Sequence, residues 1–375
     1  MIASWEPVQR CRFSEERTTS ENGWITQKKV METRTGILKN VVVIRNILIV
    51  LLVFYHAFAI YSGAWTPIEG FPEIPFYYWL DLLSYAFMLP LFVLVSGYVF
   101  GYQVRVKGQS KLQANNLFRS KFKRLIIPCI VFDFLYILLF GNINQPAYIT
   151  AYDLVNGVGH LWFLPMLFWC FIGVWLIEKL RLKTRFTILV LLFAAFCSFL
   201  PLPFRMGIAM YYMPYFYTGY ILQKNEISLD MLYTKKSAYI TTLAFLVLFP
   251  LLTLLKDKLG THEGETIETK IINYVSQTAL SMIYVVAGIA MTFSLVGLYL
   301  KKHSVSKWMV QIGALSFGVY LFQQFILKGL YNHTSLPSLL GCYCLPWVGL
   351  FIALFGSLLI SYMLRKTRIG RALIG

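Results

Sequence analysis

Arg45 and His56 are two ionisable residues inside the first strongly apolar run of the chain, Arg45-Asn46-Ile47-Leu48-Ile49-Val50-Leu51-Leu52-Val53-Phe54-Tyr55-His56. A neutral imidazole can take a proton from a hydroxyl near pH 7. A guanidinium suits a phosphate or pyrophosphate, which it holds bidentately. On a helix, eleven steps at about 100° per residue make about three turns, so the two side chains share one face about 16 Å apart along the axis. A base and an anion clamp on one face suit a long anionic donor delivering a group to a hydroxyl. Ionisable groups inside a membrane span are costly and normally face the protein interior.

The elements that must carry this pair read as membrane helices. The chain has 375 residues, 58% of them hydrophobic and only 14% charged, against about 25% charged in soluble domains. Ten apolar segments are expected to cross a bilayer, near 40–61, 77–101, 125–141, 158–177, 186–200, 205–223, 237–255, 272–300, 309–330 and 345–364. The first follows a polar stretch and is too long for the core of a cleaved signal peptide. Residues 1–36 read as a polar, disordered cytoplasmic arm, 37–366 as the transmembrane domain and 367–375 as a basic cytoplasmic tail. The fold class is all-α, a polytopic membrane helical bundle of about ten transmembrane helices.

The loops give the direction. Seven Lys/Arg precede the first segment, and Arg105, Lys107, Lys111, Arg119, Lys121, Lys123 and Arg124 follow the second with no acid among them. Every second loop repeats this, down to Arg365, Lys366, Arg368 and Arg371, whereas the opposite loops hold Glu69, Glu73, Asp153, Glu263, Glu265 and Glu268. Basic residues gather on the cytoplasmic side, so both termini are expected there. The net charge of +17 is thus a topology signal, and nucleic acid is not an expected partner. Of the six cysteines, three sit in apolar runs and Cys342-x-Cys344 has no second ligand pair nearby, so free thiols are expected rather than a metal site.

With that direction, His56 and Asp81 fall at similar outer depth, Arg45 and Ser96-Gly97 lie towards the inside, and Asp133 is intermediate. His160 and Trp162 open the fourth segment, and Ser316, Tyr320, Gln323 and Gln324 line the ninth. So many inward polar groups imply a wet or ligand-filled interior. Each residue alone also has a plainer reading. Arg45 could snorkel to the interface, and His56 could be an interhelical hydrogen-bond partner. Asp81 could cap its helix, and Ser96-Gly97 could be a small-residue packing contact. His160 and Trp162 could be interfacial belt residues, and Lys121, Lys123 and Arg124 could follow from the positive-inside bias alone. The chain has no Walker loop, dinucleotide fingerprint, H-E-x-x-H or nucleophile elbow.

In combination the residues resemble a known family. Arg45-x10-His56 looks like the R-x10-H signature of the acyltransferase-3 family, integral membrane acyltransferases of bacterial surface glycans. Pro90-Leu91-Phe92-Val93-Leu94-Val95-Ser96-Gly97-Tyr98 is similar to its second-span motif, and Lys121-Phe122-Lys123-Arg124-Leu125-Ile126-Ile127-Pro128 to its basic entry to the third. His160-Leu161-Trp162-Phe163-Leu164 resembles its H-L-W-F-L, and Tyr215-Phe216-Tyr217-Thr218-Gly219-Tyr220 its aromatic-glycine segment. Ile312 to Gln323 resembles its late I-G-x-x-S-x-x-x-Y-L-x-H, with Gln323 where histidine is usual. Lys121 and Arg124 stand where the family has R-x-x-R. The six motifs occur in order from residue 37 onward.

The resemblance implies transfer of an acyl group, most often acetyl from acetyl-CoA, to a sugar hydroxyl of a surface polysaccharide or lipid-linked glycan. The enzyme would lie in a bacterial cytoplasmic (inner) membrane, among membrane lipids. On that resemblance His56 is the catalytic base or the acyl acceptor and Arg45 holds the donor. Asp81 or Asp133 orients His56, and Lys121, Lys123 and Arg124 attract the CoA phosphates. No resident cofactor or metal is expected; acyl-CoA is a co-substrate. Two other classes fit the same features: a transporter or flippase of a lipid-linked saccharide, and a non-catalytic membrane sensor that keeps the fold.

Overall fold

The computed structural model describes residues 21–141, 151–260 and 266–374, and among these every regular element is a helix. In chain order these are α1 (Glu21–Phe58), α2 (Pro75–Tyr85), α3 (Met88–Lys107), α4 (Ala114–Lys121), α5 (Ile127–Phe140), α6 (Ala151–Asn156) and α7 (Phe163–Leu180). Then follow α8 (Thr184–Phe196), α9 (Met206–Lys224), α10 (Lys235–Lys258), α11 (Ile267–Lys302), α12 (Lys307–His333), α13 (Leu336–Lys366) and α14 (Arg368–Ile374).

Among the described residues seven helical stretches are long and apolar enough to cross a membrane, where the sequence suggests ten. They are Lys39–Phe58, Pro75–Val106, Gly159–Leu180, Lys235–Lys258, Ile267–Lys302, Lys307–His333 and Leu336–Lys366. The other three expected segments are also helices, but α5 and α8 have 14 and 13 residues, short of the ~20 that span a bilayer. α9 is long enough but rich in tyrosine. Large apolar side chains such as Leu243, Leu246, Val247, Leu251 and Leu254 of α10 stand exposed, a surface suited to lipid and costly in water. The arm expected over 1–36 lies outside the described residues up to residue 20. From Glu21 the backbone is helical and runs unbroken into the first crossing. Glu263 and Glu265 also lie outside the described residues.

Prolines shape the helices at two places. The second crossing breaks at Ala86–Phe87, where Phe87 leaves helical geometry at φ −127°, ψ −3°. Pro90 explains this, since its ring clashes with the carbonyl four residues earlier, that of Ala86. Between α4 and α5 the helix widens into a π turn over Phe122–Ile126, just before Pro128. The wider turn absorbs the hydrogen bond that proline cannot make.

The inner packing is close. A Cβ on Gly97 of α3 would overlap the Phe216 carbonyl of α9, and a Cβ on Gly219 of α9 would overlap the Leu94 carbonyl of α3. Two backbones thus touch where two of the sequence motifs meet. α1 packs chiefly against α12 and α2, and also touches α13, α11 and α3, with Leu48, Ile49, Leu52 and Val53 fully or nearly fully buried, so one face of α1 points into the bundle. Beyond α1 the chain folds back over the bundle end. The Trp65 backbone N–H donates to the Ala59 carbonyl (3.0 Å), the Tyr61 hydroxyl donates to the Cys342 carbonyl, and the Tyr77 hydroxyl donates to the Tyr343 carbonyl (2.9 Å).

Candidate functional site

His56 lies in the last turn of α1 and is buried. Its Nδ1 is 3.1 Å from the Leu52 carbonyl of the preceding turn. A carbonyl can only accept, so Nδ1 carries the hydrogen and the Nε2 lone pair is left available. The ring stacks near Trp65 at 5.9 Å and meets the His160 ring at 6.2 Å, edge to face. Both histidines line a cavity of about 290 Å³, together with Tyr55, Trp65, Tyr85, Tyr136, Trp162, Tyr320, Gln324 and Lys328.

His160 is held differently. It sits in a 3₁₀ turn, Gly159–Trp162, at the head of α7. Its Nδ1 is 2.6 Å from Oε1 of Gln324, which also accepts the His160 backbone N–H at 3.1 Å. Nε2 lies 3.1 Å from the Leu321 carbonyl, and Tyr320 donates its hydroxyl to the His160 carbonyl at 2.7 Å. Both ring nitrogens therefore face protein oxygens, and in either tautomer neither nitrogen is open to a substrate. Of the two imidazoles, only His56 has a ring nitrogen without a protein oxygen beside it among the described residues.

The turn that carries His160 depends on charge and glycine. Gly157 and Gly159 have φ of +79° and +55°, the region that glycine enters without strain. A Cβ on Gly159 would come 2.8 Å from Gln324 Oε1. Asp133 of α5 is fully buried and accepts the Val158 N–H at 2.8 Å, with its other oxygen 3.1 Å from Cys129 Sγ. Arg205 donates to the carbonyls of Asn156 (2.8 Å) and Gly157 (3.0 Å). Asp133 thus positions the His160 turn. Asp81 of α2 is also fully buried, and neither carboxylate oxygen has a hydrogen-bond partner among the described residues. The nearby Ser62 hydroxyl donates to the Ala59 carbonyl at 3.4 Å. Neither carboxylate lines the cavity, and the hydrogen-bond partner of the His56 ring is the Leu52 carbonyl.

Arg45 is buried on α1, about 16 Å from His56 along the helix, and is not part of the cavity wall. On the Arg45 side of the histidines lies a small apolar cavity of about 20 Å³. Its walls are Leu52, Leu89, Phe92, Phe163, Leu164, Leu167, Phe317 and Tyr320. Ser96 donates to the Phe92 carbonyl (2.9 Å) and Ser316 to the Gly313 carbonyl (2.8 Å); both are buried supports, as Gly97 is a packing contact. Trp162 is half-buried beside Tyr212 at 6.2 Å. Gln323 is fully buried, with neither amide atom hydrogen-bonded among the described residues.

The basic entry residues separate. Lys123 is exposed and Arg124 half-buried. Lys121 is buried, with Nζ 3.6 Å from the Phe171 ring centre and 5.3 Å from that of Phe100. Burial, with Arg124 and Lys111 nearby, pushes its ammonium down to about 7.

Trp65, Tyr136, Lys328 and Arg205 complete the site beyond the residues the sequence motifs indicate, and Gln324, one of the inward polar groups of the ninth segment, joins them. The sequence carries a usable signal for Lys328. Tyr320, Gln324 and Lys328 recur every four residues and so share a helix face. Trp65 and Arg205 come from loops, and no local pattern announces them.

The family model described as Acyltransferase domain matches residues 39–366. No curated protein and no solved structure matches the chain.

Proposed function

The chain belongs to the family described as Acyltransferase domain, which matches it over residues 39–366; from that premise we propose that it transfers an acyl group, acetyl, from acyl-CoA to a sugar hydroxyl of a surface polysaccharide or lipid-linked glycan. The proposal places it in a bacterial cytoplasmic membrane with ten crossings and both ends inside, in keeping with the alternation of basic loops. The observation that carries the reading is the contact of His56 Nδ1 with the Leu52 carbonyl at 3.1 Å. The Nδ1–H is committed to that carbonyl, and the free lone pair belongs to a ring that lines the cavity.

In the proposed reaction Nε2 of His56 removes the acceptor hydroxyl proton as that oxygen attacks the thioester carbon. The carbon–sulfur bond then breaks, and the imidazolium returns the proton to the departing CoA thiolate. Such a base contributes about 10²–10⁴-fold to a rate. His160, tied on both nitrogens, shapes the wall opposite His56. Arg45 and the basic entry at Lys123 and Arg124 would hold the phosphates of the donor. The apolar cavity of about 20 Å³ has room for about one water-sized group, which supports acetyl over longer acyl chains.

The test replaces His56 with Ala, checks insertion and folding, and measures glycan acylation in cells by mass spectrometry. Loss of acylation with glycan export intact is expected, and it also separates transfer from transport. Unchanged acylation would overturn the reading.

A further inference from the structure

Among the described residues that line the His56–His160 cavity, Lys328 is the only ammonium or guanidinium, and no carboxylate joins it. Its Nζ lies 5.1 Å from the Trp65 ring centre and 5.9 Å from that of Tyr136. Among the described residues no carboxylate pairs with it. It is one turn beyond Gln324 on the same face of α12, about 6 Å further along the axis. That places it at the bundle end covered by Trp65, opposite the basic loops. The bias that explains the basic loops therefore does not explain this one.

A half-buried cation without a counter-charge is costly, and two aromatic rings recover part of that cost. An anion in the cavity would supply the rest. The donor is a poor match, because its phosphates belong at the Arg45 end. We infer that Lys328 and Trp65 form an acceptor subsite for a saccharide bearing an anionic group, a carboxylate or a phosphate, close to the hydroxyl that is acylated. This rests on the acyl-transfer reading above. The anion is either part of the sugar itself or the phosphate that links it to a lipid or to the next unit.

The test compares glycan acylation by mass spectrometry in cells carrying the native protein, Lys328→Gln, Lys328→Arg and His56→Ala, with protein levels measured in the membrane. Lys328→Gln should lower acylation at least about tenfold, and Lys328→Arg should stay within about threefold of native, as expected for a charge-assisted contact. In the native sample the acylated unit is isolated and its composition determined. It should carry a carboxylate or phosphate on itself or on the adjoining unit, and which of the two is found identifies the source of the anion. Because this readout needs no variant, it stands even if Lys328→Gln fails to accumulate. Undiminished acylation by Lys328→Gln, or an acylated unit flanked only by neutral sugars, would overturn the subsite alone. Acylation that does not depend on His56 would overturn the acyl-transfer reading and the subsite with it.

Discussion

Nδ1 of His160 lies 2.6 Å from Oε1 of Gln324, and the same oxygen accepts the His160 backbone N–H. One amide oxygen thus fixes both the ring and the turn of the second imidazole. Its neighbour Gln323 has the opposite character, being buried without a hydrogen-bond partner among the described residues. Replacing Gln324 with Leu should free His160 and lower acyl transfer on the order of tenfold. Replacing Gln323 with Met should leave thermal stability unchanged or raise it, since an unpaired buried amide costs about 1–3 kcal/mol. Glycan acylation and thermal unfolding in detergent measure the two effects. A destabilised Gln323→Met or a fully active Gln324→Leu would contradict this assignment.

Asp133 holds the Val158 N–H at 2.8 Å, two residues before His160. Asp133→Ala leaves that buried donor unpaired, at a cost of about 1–3 kcal/mol, and should lower both stability and transfer. Asp133→Asn keeps an accepting oxygen and should recover most of both. Thermal unfolding and transfer rate, measured on the same preparations, decide it; equal damage from the two substitutions would point to the charge instead.

The apolar cavity beside the histidines is lined in part by Leu167. Leu167→Ala should widen it enough to admit longer chains. The ratio of butyryl to acetyl transfer, measured with the two CoA thioesters, should rise severalfold. An unchanged ratio would move acyl selection elsewhere.

Lys121 supplies a pH test. Its ammonium is pushed down to about 7, whereas the unfolded chain keeps the ordinary value of 10.5. Between about pH 7 and 10 the unfolded state therefore holds the extra proton, and stability rises with pH. Below about pH 7 both states are protonated and the cost of the buried charge is present in full. Lys121→Met removes this dependence. The thermal midpoint of the native protein should gain on that of the variant as the pH goes from about 6.5 to about 9, and a constant gap would contradict it.

Much of this is legible in the sequence. The Arg45–His56 spacing implied a shared helix face, and α1 is one continuous helix. All ten apolar segments are helical. The breaks were harder to foresee: Pro90 and Pro128 were visible, but whether a proline bends, splits or widens a helix depends on its neighbours. Gln323 drew attention through the family pattern, whereas the four-residue step from Tyr320 leads to Gln324 on the cavity face. Asp81 and Asp133 were matched to His56 by depth alone, and depth along a span says nothing about which way a side chain points. Trp65 reaches the site because residues 59–74 fold back over the bundle end, a long-range return that no local period encodes.

The central claim is that His56 is the base. The direct measurement is the rate of radiolabelled acetyl transfer from acetyl-CoA to isolated glycan by the purified native protein and by His56→Gln, both confirmed folded. A fall of at least about 10²-fold is predicted, in line with loss of a positioned general base. A His56→Gln rate within about threefold of native would contradict the account.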